Sequence, residues 1–331
     1  MKNQHAKSAC LGGSVIRFGK RRRQCTKCDS TWRVRRKKRG RKRRRSNHQL
    51  IRNFLDHRIA TLRALAEWRG VAPSTMQERV RNMLNQFLHH TPWPVLPPRG
   101  PLILIADARV KYIAGYGWLT THFLFLRPVE TVEAMILPPF WRRGTEVVAG
   151  WRDAMDTLSP EVKQRIVALV CDGHNGLVSE ARWQGWILQR CHFHLLKRIQ
   201  SRRSRFRIAR HKQEADTIFS HARRVLESPL GTDLVPSLNT LEEIGWTSSS
   251  PEIRKVLSGF VRNFEDYRAY LKHPQLRLPA TNNTAESFNQ RVQELVHRAR
   301  GFRSVTSLKH WIEALIKHKK KIKCNGARQP N

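Results

Sequence analysis

Pro101-Leu-Ile-Leu-Ile-Ala-Asp107 decides how this 331-residue chain is read. Leu102–Ala106 is an unbroken apolar run rich in isoleucine and leucine, the pattern of a strand covered on both faces. It stops at a carboxylate. A second stretch of the same build, Ile166-Val-Ala-Leu-Val-Cys-Asp172, does the same. One aspartate after a strand is ordinary turn chemistry. Two of them, on strands expected to be parallel neighbours, set like charges side by side, and a divalent cation removes that cost.

Outward from these runs the chain alternates short strands with helices. Tyr112–Trp118 and His122–Leu126 read as strands joined by a turn near Leu119–Thr121. Glu146–Leu158 reads as an amphipathic helix with Val147, Trp151, Ala154, Met155 and Leu158 on one side, and Val167–Cys171 as the next strand. From Ala181 to Tyr270 the pattern is mostly helical, broken at Pro229–Pro236 and Thr247–Pro251. Helices at about Thr284–Arg298 and Ser304–Lys321 close the chain. The expected class is α/β, a mixed sheet with helices on both faces.

A third acid stands apart. Glu286 lies in Thr281-Asn-Asn-Thr-Ala-Glu-Ser-Phe-Asn-Gln-Arg291, at the start of the first closing helix. A first-turn acid is favoured by the helix dipole alone. This one is isolated among amides and cations, which fits a carboxylate facing phosphate, with Asn282, Asn283, Asn289 and Arg291 near enough to contribute.

The charge points the same way. There are 63 Lys and Arg against 25 Asp and Glu, a formal net charge of +38, so a polyanion is the natural partner. Residues 1–45 hold 19 basic residues and one acid, Asp29, and so supply +18 of it. No apolar stretch approaches the roughly 18–20 residues of a membrane span, and no secretory leader is read, so no membrane is expected.

The first 46 residues read as a basic arm. Cys25-Thr-Lys-Cys28 is half of a zinc ribbon, flanked by short apolar stretches at Ser14–Phe18 and Thr31–Val34. Cys10 is the third ligand at hand, and a closed structural site needs a fourth, for which His5 is the nearest. Bound zinc and a decayed knuckle both stand open. Residues 35–45, almost purely Arg and Lys, are expected to order only on phosphate. Residues 47–90 carry helical spacing, with Leu50, Phe54, Leu55, Ile59 and Leu62 in the first part. Two helices around Gly70 then form a helix-turn-helix pattern. The second starts at Ser74, or at Ala72 if Pro73 takes the first helical position. In that motif Ser74, Thr75, Gln77, Glu78 and Arg81 would read base edges; a plain helical hairpin is the alternative. Residues 91–101 hold five prolines and read as a stiff linker. Residues 102–323 form the expected main domain.

Asp107, then Asp172-Gly-x-x-Gly-Leu177, then Cys191-x-x-His194, then Thr-Asn-Asn-x-x-Glu286-x-x-Asn289, in that order, resembles the transposases of bacterial insertion sequences in the Mutator superfamily. The resemblance spans roughly residues 100–320. It implies a ribonuclease H-like catalytic core with a helical insertion at about 195–280. It implies that Asp107, Asp172 and Glu286 form a DDE triad holding Mg²⁺ (or Mn²⁺). It further implies DNA cleavage at the element's ends and strand transfer to target DNA, by a dimer or larger assembly, in the bacterial cytoplasm at the nucleoid. Cys191 and His194 read as a structural motif: both side chains lie on one helix face, and two further zinc ligands are missing. Of the tryptophans, Trp141, Trp151, Trp183 and Trp186 are expected in the core, with base stacking the sharper alternative for Trp183 and Trp186. A catalytically inactive DNA-binding regulator derived from such an enzyme is the rival reading.

Overall fold

The computed structural model describes residues 13–18, 22–33, 47–56, 61–96, 99–200, 212–299, 302 and 304–324. Cys10, His5, Ile59 and the Arg/Lys block at 35–45 lie outside them. The chain divides into two compact units, Met1–Leu50 and Ile51–Asn331.

In the first unit β1 (Val15–Phe18), β2 (Arg22–Cys25) and β3 (Thr31–Arg33) form an antiparallel meander. β1 and β3 fall on the two expected apolar stretches. β2, Arg-Arg-Gln-Cys, has no apolar pattern to announce it. The turn after it is closed by the Asp29 N–H donating to the Cys25 carbonyl (3.0 Å). Cys25 is buried and Cys28 exposed.

α1 (Asn47–Leu55) is followed by α2 (Leu62–Trp68) and α3 (Pro73–His90). Thr61 Oγ1 caps α2 by accepting from the Ala64 N–H (3.1 Å). Gly70, at φ 59°, makes the turn, where a side chain would be strained. Ala72 is the N-cap of α3 and Pro73 its first residue, where a missing N–H costs nothing. Met76, Val80, Leu84 and Phe87 form its buried stripe.

The main sheet has seven strands: β4 (Leu102–Ile113), β5 (Gly117–Pro128), β6 (Glu133–Ile136), β7 (Phe140–Arg143), β8 (Ile166–Cys171), β9 (Ile187–Arg190) and β10 (Lys321–Lys323). Their order is β10-β6-β5-β4-β8-β9, with β7 also pairing β5. β10, β6, β5 and β4 run antiparallel, and β4, β8 and β9 parallel. The helices between and after them are α4 (Val148–Met155), α5 (Pro160–Arg165), α6 (Asn175–Trp183), α7 (His192–Gln200), α8 (Lys212–Glu227), α9 (Val235–Thr247), α10 (Pro251–Arg262), α11 (Phe264–Tyr267), α12 (Ala269–Lys272), α13 (Asn283–Arg298) and α14 (Val305–Lys319).

Both sheet faces are covered, which explains the unbroken apolar run. Leu102, Leu104, Ala106, Leu124 and Leu126 pack with Trp151 and Met155 of α4 and Leu177 and Ala181 of α6. On the other face Phe123 and Phe125 meet Phe288 of α13 edge-on, at 5.2 and 5.7 Å between centroids. α7–α11 build a separate core from Leu195, Ile218, Leu241, Leu257, Phe260 and Tyr267. Gln189 of β9 ties it to the sheet, donating to the Tyr267 carbonyl (2.9 Å) and accepting from the Tyr270 N–H (2.8 Å).

Several expectations need correction. The first hairpin turns at Ala114–Tyr116, not at Leu119–Thr121, so Tyr112–Trp118 straddles the turn instead of forming a strand. Gly115 and Gly117 sit at φ 76° and 94° and make that turn. β4 therefore runs six residues past Asp107, pairing β5 without a break from Leu102↔Pro128 to Ile113↔Gly117. α4 is shorter than expected at both ends, and Val147 is an exposed N-cap. β9 interrupts the segment read as helical, and β10 takes the end of the last expected helix.

The early helices dock on α14. Phe54 meets Trp311 edge-on at 5.8 Å, and buried Lys317 donates to the Leu88 carbonyl (2.7 Å). Asp56 accepts from His318 (2.8 Å) and Lys319 (2.9 Å). Burial pulls the Asp56 pKa up, but those two partners outweigh it and hold it at about 2. Its folded value lies below its unfolded one. The stabilisation is therefore complete above the unfolded value near 4 and is lost as pH falls toward 2. Asp56→Asn should cost about 1–2 kcal/mol at pH 7, discounted for partial exposure. Urea melts at pH 7 and pH 2 check this; the two proteins should differ at the first and converge at the second.

Candidate functional site

The parallel ladder between β4 and β8 ends at Ile105↔Val170. Asp107 and Asp172 each stand two residues beyond that pair, so both acids emerge at the same level of the sheet. Side chains alternate along a strand, so Asp107 shares the face of Ile105 and its cross-strand partner Phe123, the face covered by α13. Across α13 the residues divide cleanly. Ala285, Phe288, Val292 and Leu295 are buried, while Glu286, Asn289, Gln290 and Gln293 line a cleft with Asp107, Arg109, His194 and Lys197.

Asn282 holds the pieces in register. It is fully buried, its side chain donates to the Ala106 carbonyl (3.1 Å), and its N–H donates to Cys191 Sγ (3.0 Å). It thereby pins the end of the apolar part of β4, the entry to α7 and the entry to α13. Its side chain, fully buried, is not part of the cleft lining where a phosphate contact was expected. Arg127, also buried, donates to the carbonyls of Leu276 (3.0 Å) and Arg277 (2.8 Å), fixing the segment that leads into α13.

With those pins in place, His194 Nε2 lies 3.0 Å from Glu286 Oε1. Burial opposes charge on this imidazole, but Cys191 and Glu286 outweigh it and push its pKa up to about 10. Glu286 is held below the usual carboxylate range, chiefly by the hydrogen bond from His194. Asp107 goes the other way. Burial, then the Glu286 and Asp172 charges, push its pKa up to about 7. Its two oxygens accept from the Ala108 N–H (2.9 Å) and Asn289 Nδ2 (2.6 Å).

Asp172 opens the loop after β8. Its Oδ1 accepts from the His174 N–H (2.8 Å), and Gly173 adopts φ 92°. Gly176 lies where a Cβ would come within 3.1 Å of the Val148 backbone and 3.2 Å of Trp151; the glycine spacing of Asp172-Gly-x-x-Gly thus lets α6 approach α4. Asp172 lines a second pocket that adjoins the first and shares His194 with it.

The donors fit a hard divalent cation: carboxylate oxygens, mutually repelling, with a histidine proton between them. As the side chains stand, no three or more His, Cys, Asp or Glu among the described residues are gathered into a group that could hold a metal. Asn289 and the Ala108 N–H occupy both Asp107 oxygens, while His194 engages one of the two Glu286 oxygens.

Other expected site residues are elsewhere. Ser74, Thr75, Gln77, Glu78 and Arg81 are exposed along the start of α3. Asn283 lines the cleft; Arg291 is exposed and is not part of its lining. Trp151 and Trp186 are buried, as expected for the core, whereas Trp183 is 81% exposed, because α6 turns it outward. Four residues went unread. Arg109 and Lys197 are cations of the cleft, and Arg109 could have been found by continuing β4 with period two. Glu146 accepts from Trp151 Nε1 (2.8 Å) and lies 3.9 Å from His174 Nε2; burial pushes its carboxyl up.

Residues 136–323, more than half of the chain, match the family model described as "Transposase, Mutator family". No match is found among curated proteins.

Proposed function

Since the chain belongs to the Mutator family of transposases, we propose that Asp107, Asp172 and Glu286 are its metal-binding triad and cut DNA at the ends of a mobile element. Family membership implies transposition, and transposases act on DNA. The observation that carries the finer reading is the placement of Asp107 and Asp172 two residues past the last parallel pair, with Glu286 across the cleft from Asp107, and Asp172 in the pocket that adjoins it. The strand order, β6, β5 and β4 antiparallel followed by β8 and β9 parallel to β4, with β10 added outside β6, supports a ribonuclease H-like core. The turn at Gly70 and the exposed residues Ser74, Thr75, Gln77 and Arg81 support a helix-turn-helix that contacts the element's terminal repeats.

Two Mg²⁺ (or Mn²⁺) ions bound there would supply activation of water and stabilisation of the leaving oxygen. Asp107, Asp172 and Glu286 would hold and space them, Glu286 through the oxygen that His194 does not engage and Asp107 in place of its hydrogen bond from Asn289. Arg109 and Lys197 take phosphate oxygens, which positions the strand without reading its sequence. The freed 3′-hydroxyl then attacks target DNA in a second in-line displacement. Two ends must be joined, so a dimer or larger assembly forms on DNA. Zinc on Cys10, Cys25 and Cys28 is a separate proposal; metal content of residues 1–45 tests it.

Nicking of DNA carrying the inverted repeats that flank the gene tests the reading. Strand scission should need Mg²⁺ or Mn²⁺, and its absence with both metals would end the proposal. His194 acts as a positioning residue through Glu286. His194→Gln, which keeps a hydrogen-bond donor but no charge, should weaken metal affinity by about 10–100-fold. Saturating Mn²⁺ should restore most of the rate; a rate loss that no metal concentration corrects would contradict it.

A further inference from the structure

Glu146 is outside the proposed triad yet stands at its edge. It lies just ahead of α4, where burial pushes its carboxyl up and the nearby Asp172 charge adds to that push. An acid kept in such a place needs a physical reason. Its Oε1 accepts from the indole N–H of buried Trp151 (2.8 Å). That bond alone does not call for charge, because a neutral amide oxygen would accept it as well. What faces the charge is His174, whose Nε2 lies 3.9 Å from the same oxygen. The separation is within ion-pair range and beyond that of a direct hydrogen bond.

His174 is tied at both ring nitrogens and at its backbone. Its Nδ1 accepts from the Gly176 N–H (3.1 Å) and caps α6, which leaves the proton of a neutral ring on Nε2, the nitrogen nearest Glu146. Its own N–H donates to Asp172 Oδ1 (2.8 Å). Between the two residues lies Gly173 at φ 92°. Glycine gives that link freedom, so the loop does not fix the carboxylate by itself. The His174 ring supplies the anchor, set between the first turn of α6 and Glu146. Glu146 is in turn held by Trp151, at the place where Gly176 lets α6 press against α4.

We propose that Glu146 is a positioning residue for Asp172 and acts on it through His174. The carboxylate steadies the imidazole, the imidazole steadies the loop, and the loop N–H sets the rotamer of Asp172. The proposal rests on the reading of Asp172 as a metal ligand and adds the side chains that support it from the α4 side. Each acid of the triad then has its own fixed partner: Asn289 for Asp107, His194 for Glu286, and the Glu146–His174 pair for Asp172. Groups that orient a metal ligand in this way typically change metal affinity by about 10–100-fold when they are removed.

Mn²⁺ binding to the full chain, read from the electron paramagnetic resonance signal of the unbound ion, tests this without DNA or turnover. Glu146→Gln still accepts from Trp151 but brings no charge to His174. His174→Asn still caps α6, since asparagine is among the best N-caps, but is too short to reach Glu146. Each should weaken Mn²⁺ affinity by about tenfold. The double variant should lose the same tenfold and no more, because the two residues act as one unit. Melting curves of the metal-free proteins should stay with wild type; should one single variant melt early, the other decides. Affinity equal to wild type in a folded single variant overturns the proposal, as does a loss of about a hundredfold in the double variant, the mark of two independent effects. A wild type that binds no Mn²⁺ removes the triad and its support together, whereas a wild type that binds it no better than the variants removes the support alone.

Discussion

Glu286→Gln should lower metal-dependent strand cleavage by on the order of 10³-fold or more, with DNA binding unchanged. The magnitude follows from removing one anionic ligand from the proposed metal site, where charge stabilisation by the ions would be worth several kcal/mol, at about 1.4 kcal/mol per tenfold. The isosteric amide keeps the volume and still accepts the hydrogen bond from His194, so folding is little affected. Glu286 is not part of the buried stripe of α13, which is Ala285, Phe288, Val292 and Leu295. Cleavage and gel-shift assays on the same preparations separate the two effects. Equal cleavage by both proteins would remove Glu286 from the chemistry.

Asp107→Asn should stabilise the metal-free protein at pH 8 by about 2–4 kcal/mol while abolishing its response to Mg²⁺. Burial, and after it Glu286 and Asp172, raise the Asp107 pKa to about 7. Because the folded value is above the unfolded one, the favourable state is complete below the unfolded value near 4 and is lost as pH rises to 7. Asparagine does not ionise, so the proteins should melt alike at pH 4 and separate by pH 8. The introduced amide also finds a partner. Asn289 Oδ1 is buried without one, and turning the Asn289 amide over offers that oxygen to the NH₂ group of the substituted side chain. In a chain of this size the gain corresponds to several degrees of melting temperature. Mg²⁺ should raise the melting temperature of wild type at pH 8 and leave the variant unmoved. A wild type more stable than Asp107→Asn at pH 8 without metal would refute the account of the site's electrostatics.

The parts of the fold that were legible are those where burial on both faces writes itself as an apolar run: β4 up to Asp107 and β8 up to Asp172. The helices α3, α13 and α14 were legible too, each by its spacing. The aromatic stretch Tyr112–Trp118 misled because aromatic residues favour strands wherever they fall, and the Gly-Tyr-Gly signal at 115–117 was outweighed by it. β9 was hidden because four residues are too few to show a period between two helices. In the site, the acids were readable as interruptions of patterns. The Glu286–His194 pair was not, because Cys191-x-x-His194 shows only what shares its own helix face, and its partner is brought in by Asn282. The role of Asn282 itself could not be read: an amide that binds phosphate and one that pins a backbone look alike along a chain.

β10 joins the sheet outside β6, pairing Lys321–Lys323 with Glu133–Met135. On the ribosome, β6 is therefore made long before its outer neighbour, and a nascent chain carries a bare sheet margin until Lys321–Lys323 emerge. Such margins recruit strands from other molecules. A gene product cut short before residue 321 would carry that margin permanently, which makes premature termination here a route to aggregation and not merely to a smaller protein.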